Sequence, residues 1–334
     1  MTLTLATLRS DYVFESTPQR HDLGALHVPF DDLVGNTRTE TRLKGAIRRG
    51  ERAAIIGASG SGKSSVMAHV LGPTADGVAP LIVPLAAMPG AIVDNPSHLV
   101  DHLVATVARQ ATHGSTLDPV AATADRTETT TTTNRGGLAA GWGWIKGELA
   151  REVKRQTEIE RTATFADKTD ILAQVLNTIT ANNLYPVLVF DDTDRWLSDG
   201  GPKLVNKFFG EGLRWLLELP AGLAVAVHPN YFDDTPQAEL LQYLDTQITI
   251  PRLESAAAIE SIYARRIEQF TQIDNPDLTT VIDAEAFNAI HHIYDTTASL
   301  RRAIHVTHIA VHDALDAGDH KLSERHIVAS ANAG

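Results

Sequence analysis

The sequence of 334 residues has no cysteine. That excludes a disulfide framework and any thiolate metal site, and it suits a reducing compartment. No apolar run reaches the ~18 residues of a membrane-spanning helix. The N-terminus, Met1 to Asp11, lacks both a basic n-region and a long apolar stretch, so no signal peptide is expected. These absences point to a cytoplasmic protein with no membrane partner. Positive charge is also scarce: 29 Lys and Arg face 41 Asp and Glu, a net charge of −12. Bulk electrostatics of that sign disfavour non-specific nucleic-acid binding and leave only a local basic surface for DNA. The fourteen histidines are scattered without metal-ligand spacing, and His291-His292 is the only adjacent pair.

What the chain does have is a phosphate-binding loop. Ala53 to Ile56 reads as a buried strand, followed by Gly57, Ala58, Ser59, Gly60, Ser61, Gly62, Lys63, Ser64 and Ser65. The spacing Gly57-x4-Gly62-Lys63-Ser64 fits the G-x-x-x-x-G-K-[ST] pattern between a strand and a helix. The glycines let several backbone N–H groups aim into one concavity, and the helix N-terminus adds partial positive charge. Lys63 is placed to reach the β- and γ-phosphates, and the Ser64 hydroxyl is a ligand for Mg²⁺.

A second signal lies about 130 residues on. Pro186 to Phe190 is a continuous apolar run ending in Asp191-Asp192-Thr193-Asp194-Arg195. A strand that ends in carboxylates, downstream of a phosphate loop, orders Mg²⁺ and activates water. Asp191 is assigned to the metal and Asp192 to the attacking water. Gly222 to Val227 is another buried strand, with His228 and Asn230 at its end. If that strand neighbours the phosphate-loop strand, Asn230 or His228 would lie beside the γ-phosphate. A structural role for His228 remains open.

The remaining elements alternate between strand and helix as far as Pro251. Asn36-Thr37 is expected to cap a helix running to about Arg49. Before it, Val28, Pro29, Phe30 and Val34 would either wall an adenine or simply pack in the core. Leu81 to Leu85 reads as a strand, Pro96 to about Gln110 and Asp167 to Asn182 as helices, and Pro202 to Leu219 as one more helix. Residues 112–146 form a Thr-, Gly- and Trp-rich insert, in which Trp142 and Trp144 either make a partner-contacting tip or fold back on the core. After the short strand Ile248 to Pro251 the pattern is helical only, which marks a domain boundary. The expected division is an N-terminal segment 1–35, a core 36–251 and a helical domain 252–334.

On these motifs the chain resembles an AAA+ ATPase, in the branch with the origin-recognition/Cdc6-like proteins and the STAND signalling ATPases. Gly57 to Ser64 resembles Walker A and Val187 to Asp192 resembles Walker B. The run Asp191-Asp-Thr-Asp-Arg195 is similar to that of KAP-type NTPases. Ala298-Ser-Leu-Arg301-Arg302 resembles the sensor 2 motif, usually Gly-Asp-x-Arg. The resemblance implies an α/β fold, a parallel-sheet P-loop core (an αβα sandwich) followed by an all-helical lid. It implies ATP and Mg²⁺ as cofactors, with Arg301 on the lid contacting the γ-phosphate. A homo-oligomer or a protein partner is expected, with DNA left open.

Two departures stand out. Residues 228–247 hold no Arg or Lys where AAA+ rings carry an arginine finger, so the finger would come from Arg195, Arg214 or a partner, or be absent. No winged-helix DNA-binding domain is expected after the lid. The function implied is a regulatory ATPase, slow in isolation, whose nucleotide state switches assembly or partner binding. The alternative is a STAND-like nucleotide sensor with little turnover. A small-molecule kinase is disfavoured for want of an acceptor pocket.

Overall fold

The computed structural model describes residues 3–9, 13–16, 18, 20–72, 78–83, 96–113, 165–181, 184–191, 193, 202–232, 243–271 and 273–333. Most of the expected insert, including Trp142 and Trp144, lies outside the described residues, as do Asp192, Asp194 and Arg195. The chain divides into two compact units.

One unit, Leu43–Ile55 and Leu71–Ile248, is built on the sheet. Its strands are β1 (Arg52–Ile56), β2 (Val78–Val83), β3 (Tyr185–Phe190), β4 (Gly222–Val227) and β5 (Thr246–Thr249), in the order β2-β3-β4-β1-β5. The β2–β3 and β3–β4 pairs are parallel, with Val83 opposite Phe190 and Phe190 opposite Val225. All six residues of β4 and the last five of β3 are buried, as expected of a parallel sheet covered on both faces. Helices supply the cover: α3 (Pro96–His113) packs against β2, and α4 (Phe165–Ala181) against β3. The expected Pro202–Leu219 helix is broken into α5 (Pro202–Lys207), a π-helical turn (Phe208–Gly212) and α6 (Leu213–Leu216). Two glycines, Gly210 and Gly212, sit in that turn, and its first two residues, Phe208 and Phe209, are buried.

The other unit, Met1–Arg42, Ile56–Val70 and Thr249–Gly334, joins three distant stretches. It contains the phosphate loop, α2 (Lys63–Val70) and four helices: α7 (Ala256–Thr271), α8 (Ala284–Thr297), α9 (Leu300–Asp316) and α10 (Glu324–Ala333). Residues 3–9 and 13–16 of the N-terminal segment pack on these helices. Leu5, Leu8, Val13 and Phe14 are buried, and the Phe14 ring lies 5.0 Å from that of Tyr263. Arg266 on α7 donates from Nε to the Val13 carbonyl at 2.7 Å and from its terminal nitrogen to the Glu15 carbonyl at 2.6 Å. Burial pushes this guanidinium down to about 10. Tyr263 Oη is 2.8 Å from the Thr307 hydroxyl, which ties α7 to α9.

The helix expected from the Asn36-Thr37 cap is α1 (Thr39–Arg48), and it starts later than that cap implies. Asn36 and Arg38 both adopt left-handed backbone conformations, and the Asp31 carboxylate accepts from the Thr37 hydroxyl and the Arg38 N–H. The aspartate turns the chain, so the caps read from sequence spacing are spent on the turn.

An α/β P-loop core with a helical part is therefore the architecture, as the sequence motifs implied. No helix among the described residues is long and apolar enough to cross a membrane.

Candidate functional site

Strand β1 ends at Ile56, whose carbonyl accepts from Ile250 N–H at 2.8 Å. The loop then turns through Gly60 (φ +76) and Gly62 (φ +104), conformations open to glycine at no steric cost. Lys63 opens α2 and is 5% exposed. Its Nζ donates to the carbonyls of Gly57 at 2.7 Å and Ala58 at 2.9 Å, so the ammonium is folded into the loop it follows. Ser61 N–H closes the turn on the Ala58 carbonyl at 3.2 Å. The Ser61 hydroxyl is buried without a hydrogen-bond partner, and a Cβ on Gly57 would collide with it. An orphaned hydroxyl, a buried cation and a helix N-terminus converge on one concave turn. Those are the groups a polyphosphate needs, so the loop fits a nucleotide.

The loop has a roof. Leu300 N–H, in the first turn of α9, donates to the Gly60 carbonyl at 3.0 Å. A Cβ on Gly60 would stand 2.5 Å from Ser299 Oγ and 2.8 Å from Arg301 Cβ. Gly60 is therefore needed twice, for its backbone angle and for this approach. Ala298-Ser299 stand where the resemblance to sensor 2 leads to the expectation of Gly-Asp. Ala298 takes the left-handed conformation (φ 52, ψ 24) where glycine would be relaxed. Ser299 takes the capping role, accepting from Arg302 N–H at 3.2 Å. Arg301 is exposed at the second position of α9.

A floor comes from the N-terminal segment. The Phe30 ring would be 3.5 Å from a Cβ on Gly62. Of the four candidate adenine-wall residues, Phe30 is buried and Val28, Pro29 and Val34 are partly exposed. The Ser65 hydroxyl lies 3.2 Å from the Leu23 carbonyl and 3.1 Å from His27 Nδ1, so it faces this segment. Ser64, one position earlier, is half-buried.

In the sheet unit, Asp191 follows β3 and is 6% exposed. Strand β4 lies between β3 and β1. The neighbour relation that the reading of Asn230 required is thus met by the strand order. The chain leaves β1 towards β2 on one side and leaves β4 towards β5 on the other, so the sheet's switch point falls at the β4–β1 pair. Asn230 is exposed in the short 3₁₀ turn after β4, and its N–H donates to His228 Nδ1 at 3.2 Å. Arg214 is exposed, with one nitrogen 3.1 Å from Tyr243 Oη and its guanidinium 5.4 Å over that ring.

Two groups of residues escaped the sequence reading. Thr193, fully buried, donates to the Ala226 carbonyl in β4, and Tyr231 Oη donates to the Thr193 carbonyl. These bonds fix Thr193 to the strand that ends at Val227 and to the turn that follows it. The available signal was a β-branched hydroxyl inside an acidic run. The second group is His27 with Glu40, the one acid between Arg38 and Arg49. Burial pushes the Glu40 carboxyl up, but hydrogen bonds from His27 and the Phe30 N–H outweigh it and hold the group below its ordinary value.

No protein-family model matches the chain, and no curated protein matches it. Solved structures do. The Aeropyrum pernix ORC1 protein, solved in complex with DNA, is 15% identical, with a TM-score of 0.51 over 93% of this chain and 68% of that one. Cdc6p from Pyrobaculum aerophilum is 14% identical, with a TM-score of 0.51 over 94% and 68%. The chain has the fold of the archaeal Orc1/Cdc6 proteins. The ADP form of the Aeropyrum pernix ORC2 protein is similar again, 16% identical with a TM-score of 0.50 over 96% of this chain and 72% of that one. The Orc1/Cdc6-like resemblance read from the sequence holds at the level of the fold.

Proposed function

We propose that the chain is a regulatory AAA+-like ATPase that binds ATP with Mg²⁺, hydrolyses it slowly in isolation and switches assembly or partner binding with its nucleotide state. One observation carries the reading: the phosphate loop is roofed by the first turn of α9 at Gly60, where Arg301 leaves the helix. An arginine at that place gives ATP and ADP different contacts with the helical part, and a differential contact is what a switch requires. The Orc1/Cdc6 fold supports it, and the ORC2 neighbour carries ADP.

The assigned roles follow from side-chain chemistry. Residues Gly57 to Ser65 hold the phosphates, with Lys63 neutralising charge that builds on them. Ser64 and Asp191 would be the ligands of the metal, which when bound would supply charge neutralisation to the phosphates. Asp192 takes the proton of the attacking water, and Asn230 orients that water. Residues 36–251 act as the ATPase core and 252–334 as the lid, with 1–35 as the N-terminal segment. The location is cytoplasmic.

The partner class is a second copy of the chain or another protein. A DNA partner has the ORC1 complex in its favour and the net charge of −12 against it. Light scattering with no nucleotide, ADP or a non-hydrolysable ATP analogue, each with and without duplex DNA, tests the switch. Growth in mass that needs the ATP analogue is expected. A monomer in every state removes the assembly reading. A STAND-like sensor is then the better account, and the lack of Arg and Lys in 228–247 favours it, because a finger supplied in trans is worth ~10³–10⁵ in rate. Nucleotide that co-purifies with negligible turnover would establish that second reading.

A further inference from the structure

We propose that Glu40 is a positioning residue for the phosphate loop, holding in place two of the contacts that the loop and its helix make with the N-terminal segment. The inference rests on the reading of that loop as a nucleotide site. Glu40 Oε1 accepts from His27 Nε2 at 2.8 Å and from the Phe30 N–H at 3.0 Å. A carboxylate only accepts, so both bonds run towards it. His27 then presents Nδ1 to the Ser65 hydroxyl at 3.1 Å, in the first turn of α2. Phe30, fixed by its own backbone, lays its ring against Gly62. One carboxylate therefore sets two points at which residues 27–30 meet the loop and its helix.

The cluster is enclosed. His27 is 8% exposed, Glu40 Oε2 is buried without a partner, and the His69 ring of α2 lies 4.7 Å from that of His27. A charge committed to a buried geometry is a poor way to gain stability alone, since an apolar pair of the same shape often does as well. Its advantage is direction: hydrogen bonds fix the angle of His27 and Phe30, and packing alone does not. The loop's concavity depends on where Gly62 and α2 stand, so this fixing belongs to nucleotide affinity and not to the chemical step.

The test uses the full chain and compares Glu40→Ala, Glu40→Gln and Lys63→Ala in calorimetric titrations with a non-hydrolysable ATP analogue and Mg²⁺. Steady-state hydrolysis is followed in parallel. Glu40→Ala should weaken binding about tenfold, the loss of roughly one charge-assisted hydrogen bond, and raise KM with kcat within about twofold. Glu40→Gln keeps a carbonyl acceptor for both donors and should return affinity to within about threefold. Parent affinity in Glu40→Ala, while Lys63→Ala has lost binding, overturns the proposal and leaves the site intact. Equal weakening in Glu40→Gln overturns it too, because the acceptor would then not be what matters. If Lys63→Ala also binds like the parent, the nucleotide reading itself fails. Should Glu40→Ala not fold, His27→Phe keeps a ring beside His69 and removes both nitrogens. The same tenfold loss is expected from it, and parent affinity refutes the proposal.

Discussion

Among the described residues, two hydrogen-bond ties lie next to motif residues, one part-buried and one buried, and they are made of different material. In the loop unit, Glu40 and His27 form an ionisable pair that reaches Ser65 and Phe30. In the sheet unit, only hydroxyls and carbonyls join Thr193 to β4 and to Tyr231. The first carries a carboxylate held below its ordinary value, so its share of stability varies with pH. The second uses no charged group. On the proposed reading, the contacts that hold nucleotide are set by a charged tie and the residues that cleave it by a neutral one.

The largest expected effects test that division directly. Lys63→Ala should abolish nucleotide binding, while Asp192→Asn should keep ATP bound and lower turnover by about 10²–10³-fold, as losing a group that acts in the transition state does. Parent-rate hydrolysis by Asp192→Asn would assign the water-activating role elsewhere. Next come the ties. Thr193→Val leaves the Ala226 carbonyl without its donor inside the fold and should cost about 1–3 kcal/mol in urea unfolding, and Tyr231→Phe about 1 kcal/mol. Both should lower kcat more than affinity, the reverse of Glu40→Ala. A matching pattern in all three would erase the distinction between the ties.

A smaller effect concerns pH. The folded Glu40 carboxyl sits below its ordinary value. A depressed acid contributes stability that is present above the unfolded carboxylate value and is lost as pH falls through the folded one. Glu40→Gln should flatten that part of the acid limb of a stability–pH curve, and Tyr231→Phe should leave its shape unchanged. The smallest change expected is a gain. Ala298→Gly relaxes a left-handed residue and should raise stability by about 1 kcal/mol or less, the steric relief being offset by chain entropy.

What the sequence made legible divides along the same line. Local spacing carries motifs, so the loop at 57–65, the strand before Asp191 and the helix opened by Ser299 were all readable. The order of strands was legible only as a condition, that β4 should stand next to β1 for Asn230 to matter. The ties were not legible because their partners are far apart: Thr193 and Ala226 are 33 residues apart, and Ser65 and His27 are 38 apart. The N-terminal stretch hid for the same reason. Its fixed points are on Arg266, some 250 residues later, and nothing near Val13 or Glu15 announces them. The π-helical turn at Phe208 passed for ordinary helix because its apolar spacing is helical on either side.

The hydrogen bond from Leu300 to Gly60 also bears on how the protein is made. On the ribosome the phosphate loop emerges first, and the residues that roof it follow about 240 positions later. The sheet strands β1 to β5 are all available by Thr249, whereas the loop unit waits for Thr249–Gly334. A nascent chain therefore carries a finished sequence motif long before it has a finished site. On the proposed reading, nucleotide is captured only after Leu300 has emerged, and fragments that stop before Leu300 should be unable to keep it.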